Sequence, residues 1–348
     1  MGSSIEKKSL RKKTIISVSL FAIIFATLLG LASVYDLQVS EKLTQGTLLD
    51  GSYYAVGQFG LLFEIVGSFP IWICIAVLGA IVYHNAKNYK QLGIDFDAKL
   101  KKTTQEILQK IVELGSIAVV LFAFYFLFAD TFKYILKYSY SYAWKDTASY
   151  MLTMLLMSVI VSPMFLIAWG RISVQNNKKL MLFALIIVVA LITRIFIEGV
   201  KGPIGRVRYR AMNAMDDFSY YTPWYVINGK RALGESSANI PYWELSDACK
   251  SFPSGHTFAA GMSYCIICLP DFIKKWDNVV GRFLCWLVPI AYTAIVAVSR
   301  IMVGAHYFSD VLFGGTIVFL GVMLGREIFV CKFKHILCFT KSKEKLKS

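Results

Sequence analysis

Charged side chains are scarce in this chain. Only 17% of its 348 residues are Asp, Glu, Lys or Arg, while 56% are apolar. A soluble domain averages about a quarter charged residues. The apolar residues are gathered into runs of about twenty, the length that a helix needs to cross a bilayer. This distribution excludes an ordinary soluble domain and predicts a protein embedded in a membrane.

Acidic residues are scarcer than basic ones. The chain has 22 Asp and Glu against 37 Lys and Arg, which gives a formal net charge of +15. Such an excess is typical of nucleic-acid-binding proteins, but these Lys and Arg lie in short loops between apolar runs, where they fix membrane orientation. No basic stripe with interleaved aromatic residues occurs outside the runs. We therefore expect no nucleic-acid partner.

Cysteine supplies neither a disulfide framework nor a metal site. Most of the seven cysteines fall inside or at the ends of apolar runs, and only Cys249 sits in a long polar loop. Cys265 and Cys268 form a C-x-x-C, but no second pair accompanies them. Thiols in such surroundings are expected to be packing residues.

Eight apolar runs can be separated along the chain. They cover residues 14–35, 59–83, 111–129, 150–169, 180–199, 254–270, 283–303 and 311–330. We therefore predict an all-α fold, a multi-pass transmembrane helical bundle of about eight helices. Pro70 lies inside the second run and predicts a kink there, because proline removes a backbone donor.

The basic residues are distributed unequally between the two sides of this bundle. If both termini are cytoplasmic, the inside segments hold about twenty-two Lys and Arg, and the outside segments about eleven. This bias predicts cytoplasmic N- and C-termini. It also places the long polar segment 200–253 and the turn at His306 outside the cytoplasm.

His306 and Asp310 form the first candidate catalytic pair. Residues four apart share a face of a helix. On that geometry the Asp310 carboxylate accepts the imidazole N–H, which leaves the other ring nitrogen free as a nucleophile. The alternative is a structural hydrogen bond at a helix end. Charged groups at the edge of a membrane span are costly, and this favours the functional interpretation.

Two more segments carry groups suited to phosphate. Arg300 can bind two phosphate oxygens and stays charged at biological pH, although a side chain that merely reaches towards the membrane surface is the alternative. Pro253 is typical of the first turn of a helix, so the amides of Ser254, Gly255 and His256 are predicted to form an anion site. His256 would then be placed to protonate a leaving oxygen, unless it is incidental to a helix cap.

The third segment follows the fifth apolar run. Lys201, Arg206 and Arg208 form a positive cluster, which elsewhere often binds lipid headgroups without specificity. The predicted topology brings this cluster, the start of the sixth run and the end of the seventh run to one face of the membrane. We therefore predict a single phosphate-handling site built from all three segments.

These segments together resemble the phosphatidic acid phosphatase type 2 / haloperoxidase superfamily. Its motifs are K-x6-R-P, P-S-G-H and S-R-x5-H-x3-D. The chain reads Lys201-x6-Arg208-Tyr209, Pro253-Ser254-Gly255-His256 and Ser299-Arg300-x5-His306-x3-Asp310. Tyr209 stands where the family usually has proline, and this departure concerns a residue that shapes the loop and does not bind phosphate.

The resemblance implies a domain organisation. A six-helix phosphatase core is expected within residues 105–348, which end in a basic cytoplasmic tail, and residues 1–104 are expected to be a two-helix membrane extension. A soluble peroxidase that shares the motifs is disfavoured by the eight apolar runs. The oligomeric state is left open.

The resemblance also implies a reaction and a set of roles. His306, oriented by Asp310, would attack phosphorus to form a phosphohistidine, and His256 would protonate the leaving group. Lys201, Arg208, Ser254, Gly255 and Arg300 would hold the phosphate oxygens, so that no metal or other cofactor is expected. The implied substrate is a phosphorylated lipid at the outer leaflet of the plasma membrane. A lipid phosphotransferase and a non-catalytic lipid-binding protein are the alternatives.

Overall fold

The structure is a computed structural model that describes residues 2–91, 102–137, 142–229, 233 and 238–332, with side chains described from residue 19 onward. Several basic residues of the orientation argument, including most of the C-terminal tail, lie outside the described residues. So do Lys230 and Arg231 of the long polar segment.

Helices dominate the described part of the chain, and no strand occurs in it. The α-helices are α1 (Gly2–Thr44), α2 (Gln58–Val66), α3 (Phe69–Lys87), α4 (Lys102–Leu136), α5 (Ala148–Trp169), α6 (Val174–Ile192), α7 (Arg194–Ile204), α8 (Tyr209–Met215), α9 (Leu245–Ala248), α10 (Gly255–Gly261), α11 (Val279–Met302) and α12 (Phe308–Arg326).

Seven helical segments of the described residues are long and apolar enough to cross a membrane. They are Ser19–Thr44, Gln58–Lys87, Thr103–Leu136, Ala148–Trp169, Val174–Met215, Val279–Met302 and Phe308–Val330. The prediction of an all-α, multi-pass membrane protein is confirmed. The reason is local: these stretches carry few charges over a bilayer's thickness, and a helix satisfies its own backbone groups.

The predicted sixth run accounts for the difference between eight and seven. There α10 has only 7 residues and continues as a 3₁₀-helix, Met262–Asp271, of 10 residues. Because a 3₁₀-helix rises about 2.0 Å per residue against 1.5 Å in an α-helix, the combined segment is about 30 Å long. It therefore matches the thickness of a hydrocarbon core without being a regular α-helix.

The predicted kink at Pro70 is replaced by a break between two helices. The segment α2 ends at Val66, where the Gly67 amide donates to the Phe63 carbonyl, and α3 begins at Phe69 with Pro70 in its first turn. Proline is tolerated there because the first-turn amides have no partner within the helix.

Two compact units make up the chain. The first comprises Met1–Ala55, Lys201–Pro253 and Ile301–Phe313, and the second Val56–Val200, Ser254–Arg300 and Gly314–Ser348. The domain division at residues 104 and 105 stays a prediction. Each unit carries part of the predicted site on a different set of helices.

The first unit has a core around the loop that carries His306. Val207, Tyr209 and Met212 are buried there with Tyr307. Gly304 has a φ of +63°, and its carbonyl accepts the Arg210 amide at 2.9 Å. A Cβ atom on Gly304 would meet Arg210 at 3.0 Å, so glycine allows the close approach that sets this loop against the start of α8.

The second unit has a larger apolar core. Phe183, Ile186 and Ile187 of α6 are buried with Phe258 of α10 and Val318 of α12. A Cβ atom on Gly314 would collide with the Ser254 carbonyl, so glycine lets α12 pass close to the start of α10. This packing fixes the position of Ser254, which is fully buried.

Candidate active site

His306 lies in the loop between α11 and α12 and is 2% exposed. Its Nδ1 atom is 2.6 Å from the backbone carbonyl oxygen of Ser251. A carbonyl oxygen can only accept, so Nδ1 carries the proton and donates it. The Nε2 atom of a neutral ring then keeps its lone pair, which is the state that a nucleophile needs.

Asp310 contacts His306 differently from the prediction. His306 precedes α12 and does not share a helix face with Asp310, and Nδ1 is 3.7 Å from Asp310 Oδ2, longer than a hydrogen bond. The expectation that Asp310 accepts the imidazole N–H is therefore wrong, since the Ser251 carbonyl takes this position. Asp310 remains close enough to stabilise a positive charge on the ring.

The Asp310 carboxylate has its own set of donors. Its Oδ2 atom accepts from the Tyr307 amide at 2.9 Å and from the Ser251 hydroxyl, and its Oδ1 atom accepts from Arg206 Nη1 at 2.6 Å. The bond to Tyr307 closes the first turn of α12 as a capping interaction does. These three donors explain why the carboxylate is not free to turn towards the imidazole.

Arg206 does not act with Lys201 and Arg208 as the sequence predicted, because its contacts are with other residues. Its guanidinium is fully buried and ion-pairs with both Asp310 and Asp36. Its Cζ atom lies 4.0 Å from the centroid of the Tyr307 ring, a favourable cation–π position. Arg206 therefore supports the loop beneath His306, and its charge is neutralised within the protein.

Arg208 and Lys201 supply positive charge near His306. Arg208 Nη2 donates to Asp247 at 2.6 Å, and its buried Nε atom has no hydrogen-bond partner in the described part of the chain. Burial raises the pKa of the Asp247 carboxyl, but Arg208, Arg210 and Lys201 outweigh it and hold this pKa well below its usual range. Asp247 is thus the ionised counter-charge of this cluster.

The backbone before Tyr209 has the conformation that a proline at this position would favour. Arg208 is the N-cap of α8 with φ −71° and ψ 145°, and Tyr209 is its first residue. This is the conformation preferred before proline, and the first helical position is where proline is favoured. The departure from the family motif therefore leaves the backbone at Arg208 suited to the motif.

The second unit holds the start of α10. Ser254 is its N-cap, and the Ser254 hydroxyl oxygen accepts the Thr257 amide at 3.3 Å. Pro253 thus precedes the cap and does not lie in the first turn as predicted. Arg194 Nη1 donates to the Gly255 carbonyl at 3.0 Å, which holds the chain in place beside His256.

Arg300 is completely buried, which contradicts the alternative of a side chain reaching to the membrane surface. Its Nη2 atom donates to the Gly60 carbonyl at 2.6 Å. Its Nη1 atom lies 3.3 Å from Glu64 and has no hydrogen-bond partner among the described residues. Glu64 also accepts from Lys137 Nζ at 3.0 Å, so one buried carboxylate joins two cations.

A chain of contacts links Arg300 to His256 inside the second unit. Lys137, the second cation on Glu64, lies with its Nζ atom 5.9 Å from the centroid of the Tyr134 ring. The Tyr134 ring meets the His256 ring edge-on, with 5.3 Å between centroids. The predicted proton donor and the predicted phosphate-binding arginine therefore belong to one packed cluster.

The structure distributes the predicted site residues between the two units. The first unit brings together Lys201, Arg208, His306 and Asp310, and the second contains Ser254, Gly255, His256 and Arg300. The residues of these networks that the sequence reasoning missed include Asp36, Glu64, Lys137, Asp247 and Ser251. Glu64 had a signal, because an acidic residue inside an apolar run is unusual and often functional. Asp36 directly follows the first run and had the same signal in weaker form.

Comparisons with known proteins find relatives for part of the chain. Residues 180–337, which include all three motifs, match the family model described as the PAP2 superfamily. A PA-phosphatase related-family protein of Dictyostelium discoideum is 34% identical over 92 residues, which are 25% of this chain and 32% of the relative. The match thus spans about a third of the relative's length. No solved structure is significantly similar to the chain.

Proposed function

We propose that this protein is an integral-membrane lipid phosphatase that hydrolyses a phosphomonoester or diphosphate of a lipid. The observation that carries the proposal is the state of His306: a buried imidazole, protonated on Nδ1 by its bond to the Ser251 carbonyl, beside Asp310 and the Arg208–Lys201 charges. The match of residues 180–337 to the PAP2 superfamily model supports the same reaction class.

The first step transfers the phosphoryl group to the protein. His306 Nε2 attacks phosphorus, a P–N bond forms and the P–O bond to the lipid breaks. The leaving oxygen takes a proton from His256. The ring of His306 becomes cationic as the bond forms, and the Asp310 carboxylate stabilises that charge while the Ser251 carbonyl holds the Nδ1 proton.

The second step releases inorganic phosphate. Water attacks phosphorus while His256 accepts its proton, and the P–N bond breaks to restore neutral His306. The assignment of His256 to both proton transfers rests on the P-S-G-H motif. The alternative acceptor, a second lipid hydroxyl in place of water, would make the same phosphohistidine a phosphotransferase.

Negative charge on the phosphoryl oxygens requires fixed positive groups. We assign this role to Lys201, Arg208 and Arg300, with the amides near Ser254 and Gly255. Two guanidinium atoms support the assignment, because Arg208 Nε and Arg300 Nη1 are buried donors without a hydrogen-bond partner among the described residues. Side chains supply the charge in this mechanism, so it needs no metal ion.

The lipid substrate and the membrane side are also proposals. Helices that present long apolar faces allow a headgroup to enter sideways while its acyl or prenyl chains stay in hydrocarbon. The excess of Lys and Arg in the segments assigned to the inside supports cytoplasmic termini and an active site at the extracytoplasmic leaflet of the plasma membrane.

Phosphate release from a panel of lipid phosphates tests the proposed function. The purified protein in detergent is expected to release free phosphate from at least one lipid monophosphate or diphosphate, and to do so in EDTA. A newly phosphorylated lipid acceptor in place of free phosphate would establish the phosphotransferase. Absence of turnover on every lipid would refute an enzyme of either kind, and complete loss with EDTA would refute the metal-free mechanism.

Phosphate release is expected to depend on pH through His306. Burial lowers the pKa of His306 to about 4; Asp310 opposes this shift, and Arg208 and Lys201 add to it. The neutral ring is the nucleophile, so kcat/KM should lose nothing to His306 above about pH 5 and fall about tenfold per unit below its pKa. The measurement is kcat/KM from about pH 3.5 to 7, with a fold check at each pH. An acid limb centred near the ordinary histidine value of about 6.5 would contradict the buried nucleophile.

A further inference from the structure

The first helix, α1, carries one acidic residue in an unusual position. Asp36 is 1% exposed, whereas most of the apolar part of its helix is not buried within the protein. A charged group buried on a membrane-spanning helix is costly unless it is paired, and such groups are usually functional. The helix lies outside residues 180–337, the part that matches the PAP2 superfamily.

Both oxygens of Asp36 are engaged by residues that adjoin the candidate nucleophile. The Oδ2 atom accepts from Arg206 Nη2 at 2.8 Å and from the Ser309 hydroxyl. The Oδ1 atom accepts from the Ser309 amide at 2.8 Å. Asp36 therefore holds the first turn of α12 through backbone and side chain at once.

Arg206 connects Asp36 to Asp310. Its Nη1 atom donates to Asp310 Oδ1 at 2.6 Å and to the Ser309 hydroxyl at 2.8 Å, while Nη2 is committed to Asp36. One buried cation is thus shared by two buried carboxylates. If the charge of Asp36 were removed, Asp310 would be the remaining ion-pair partner of Arg206 in this group. The positive charge of Arg206 would then offset more of the Asp310 charge, and the electrostatic effect of Asp310 on His306 would be weaker.

We propose that Asp36 is a positioning residue for the nucleophile, so that α1 is part of the catalytic machinery. Asp36 acts through Arg206 and Ser309, which fix the Asp310 carboxylate beside the His306 ring. The inference rests on the proposed phosphatase activity. It assigns to the N-terminal extension a role that the three motifs do not contain.

The test compares Asp36→Asn with the wild-type protein and with Tyr35→Phe, a matched change at the neighbouring position, where the side chain is 51% exposed. Asp36→Asn is expected to lower kcat by about 10- to 100-fold with little change in KM, because a displaced catalytic group slows the chemical step. Tyr35→Phe should match the wild type. A kcat for Asp36→Asn equal to that of Tyr35→Phe would overturn the proposal.

A double-mutant cycle separates positioning from general destabilisation. If Asp36 acts through Asp310, then Asp36→Asn should have little further effect on kcat in an Asp310→Asn background. A merely structural role would give the same fold-change in both backgrounds, and this result would also overturn the proposal. Should Asp36→Asn fail to fold, Ser309→Ala removes only one donor to Asp36, and the same cycle is measured with it.

The failure of this inference can be told apart from that of the proposed function. A wild-type protein that releases phosphate from no lipid refutes the phosphatase, and with it the basis for this proposal. An active wild type with an equally active Asp36→Asn variant refutes the positioning role alone.

Discussion

Replacement of His306 by alanine is expected to abolish phosphate release. His306 forms the covalent intermediate in the proposed mechanism, so turnover should fall by about four orders of magnitude or more, as with the loss of nucleophiles in other enzymes that use a covalent intermediate. The variant should also fail to become labelled when it is mixed with a lipid that carries radioactive phosphate. The two measurements are phosphate release and acid-quenched labelling of the protein.

The control for this variant is another histidine of the chain. His84 lies on α3, outside the motifs, and His84→Ala should keep wild-type turnover and labelling. Turnover that survives in His306→Ala would refute the nucleophile assignment directly. Labelling that survives without turnover would place the phosphoryl group on a different residue.

Replacement of His256 by alanine is expected to slow turnover by about 10²- to 10⁴-fold, the usual contribution of a general acid or base. Its signature differs from that of His306→Ala, because Nε2 of His306 can still attack phosphorus. With an aryl phosphate, whose leaving group needs no proton, the first step should stay fast. Hydrolysis of the phosphohistidine should then be limiting, and labelled protein should accumulate.

The control compares leaving groups within the same variant. A lipid phosphate needs protonation of an alkoxide, so His256→Ala should accumulate less label with the lipid than with the aryl phosphate. Equal loss of both activities without any phosphoprotein would show that His256 is needed before the first chemical step. That outcome would assign it to substrate binding and remove it from proton transfer.

The orientation of His306 has a practical consequence for mutagenesis. Its Nδ1 proton is held by the Ser251 carbonyl, a backbone group that side-chain substitution cannot remove. Asp310 contributes charge at 3.7 Å and does not supply the hydrogen bond. A variant at Asp310 is therefore expected to keep the tautomer of the ring, so that the double-mutant cycle with Asp36 should leave measurable activity to compare.

The two buried carboxylates of the N-terminal region have parallel roles in their own units. Asp36 pairs with Arg206 in the first unit, and Glu64 pairs with Arg300 and Lys137 in the second. Breaking a buried pair leaves an uncompensated charge, which costs far more than the pair itself contributes. Glu64 is thus paired directly with a motif residue, Arg300, whereas Asp36 is connected to the motif residue Asp310 through Arg206.

The sequence by itself determined the class of fold and the candidate catalytic residues. Hydrophobic runs are local properties, and a helix is the only short-range solution for a chain in lipid, so the spans could be read from composition. The motif spacing predicted eight site residues, four of which lie in each unit, and their roles stay predictions. Even the mixed helix after Ser254 was visible as an apolar run, although its 3₁₀ geometry was not.

Only the tertiary structure decided which groups form hydrogen bonds and ion pairs with these candidate residues. The acceptor of the His306 proton is 55 residues away in the chain, Arg206 is 104 residues from Asp310, and Asp36 is 170 residues from Arg206. Such pairings follow from which charges are buried together, and no local pattern encodes that. A cation buried away from water is costly unless it is paired, here with a carboxylate. Which carboxylate pairs with it depends on the packing of distant helices.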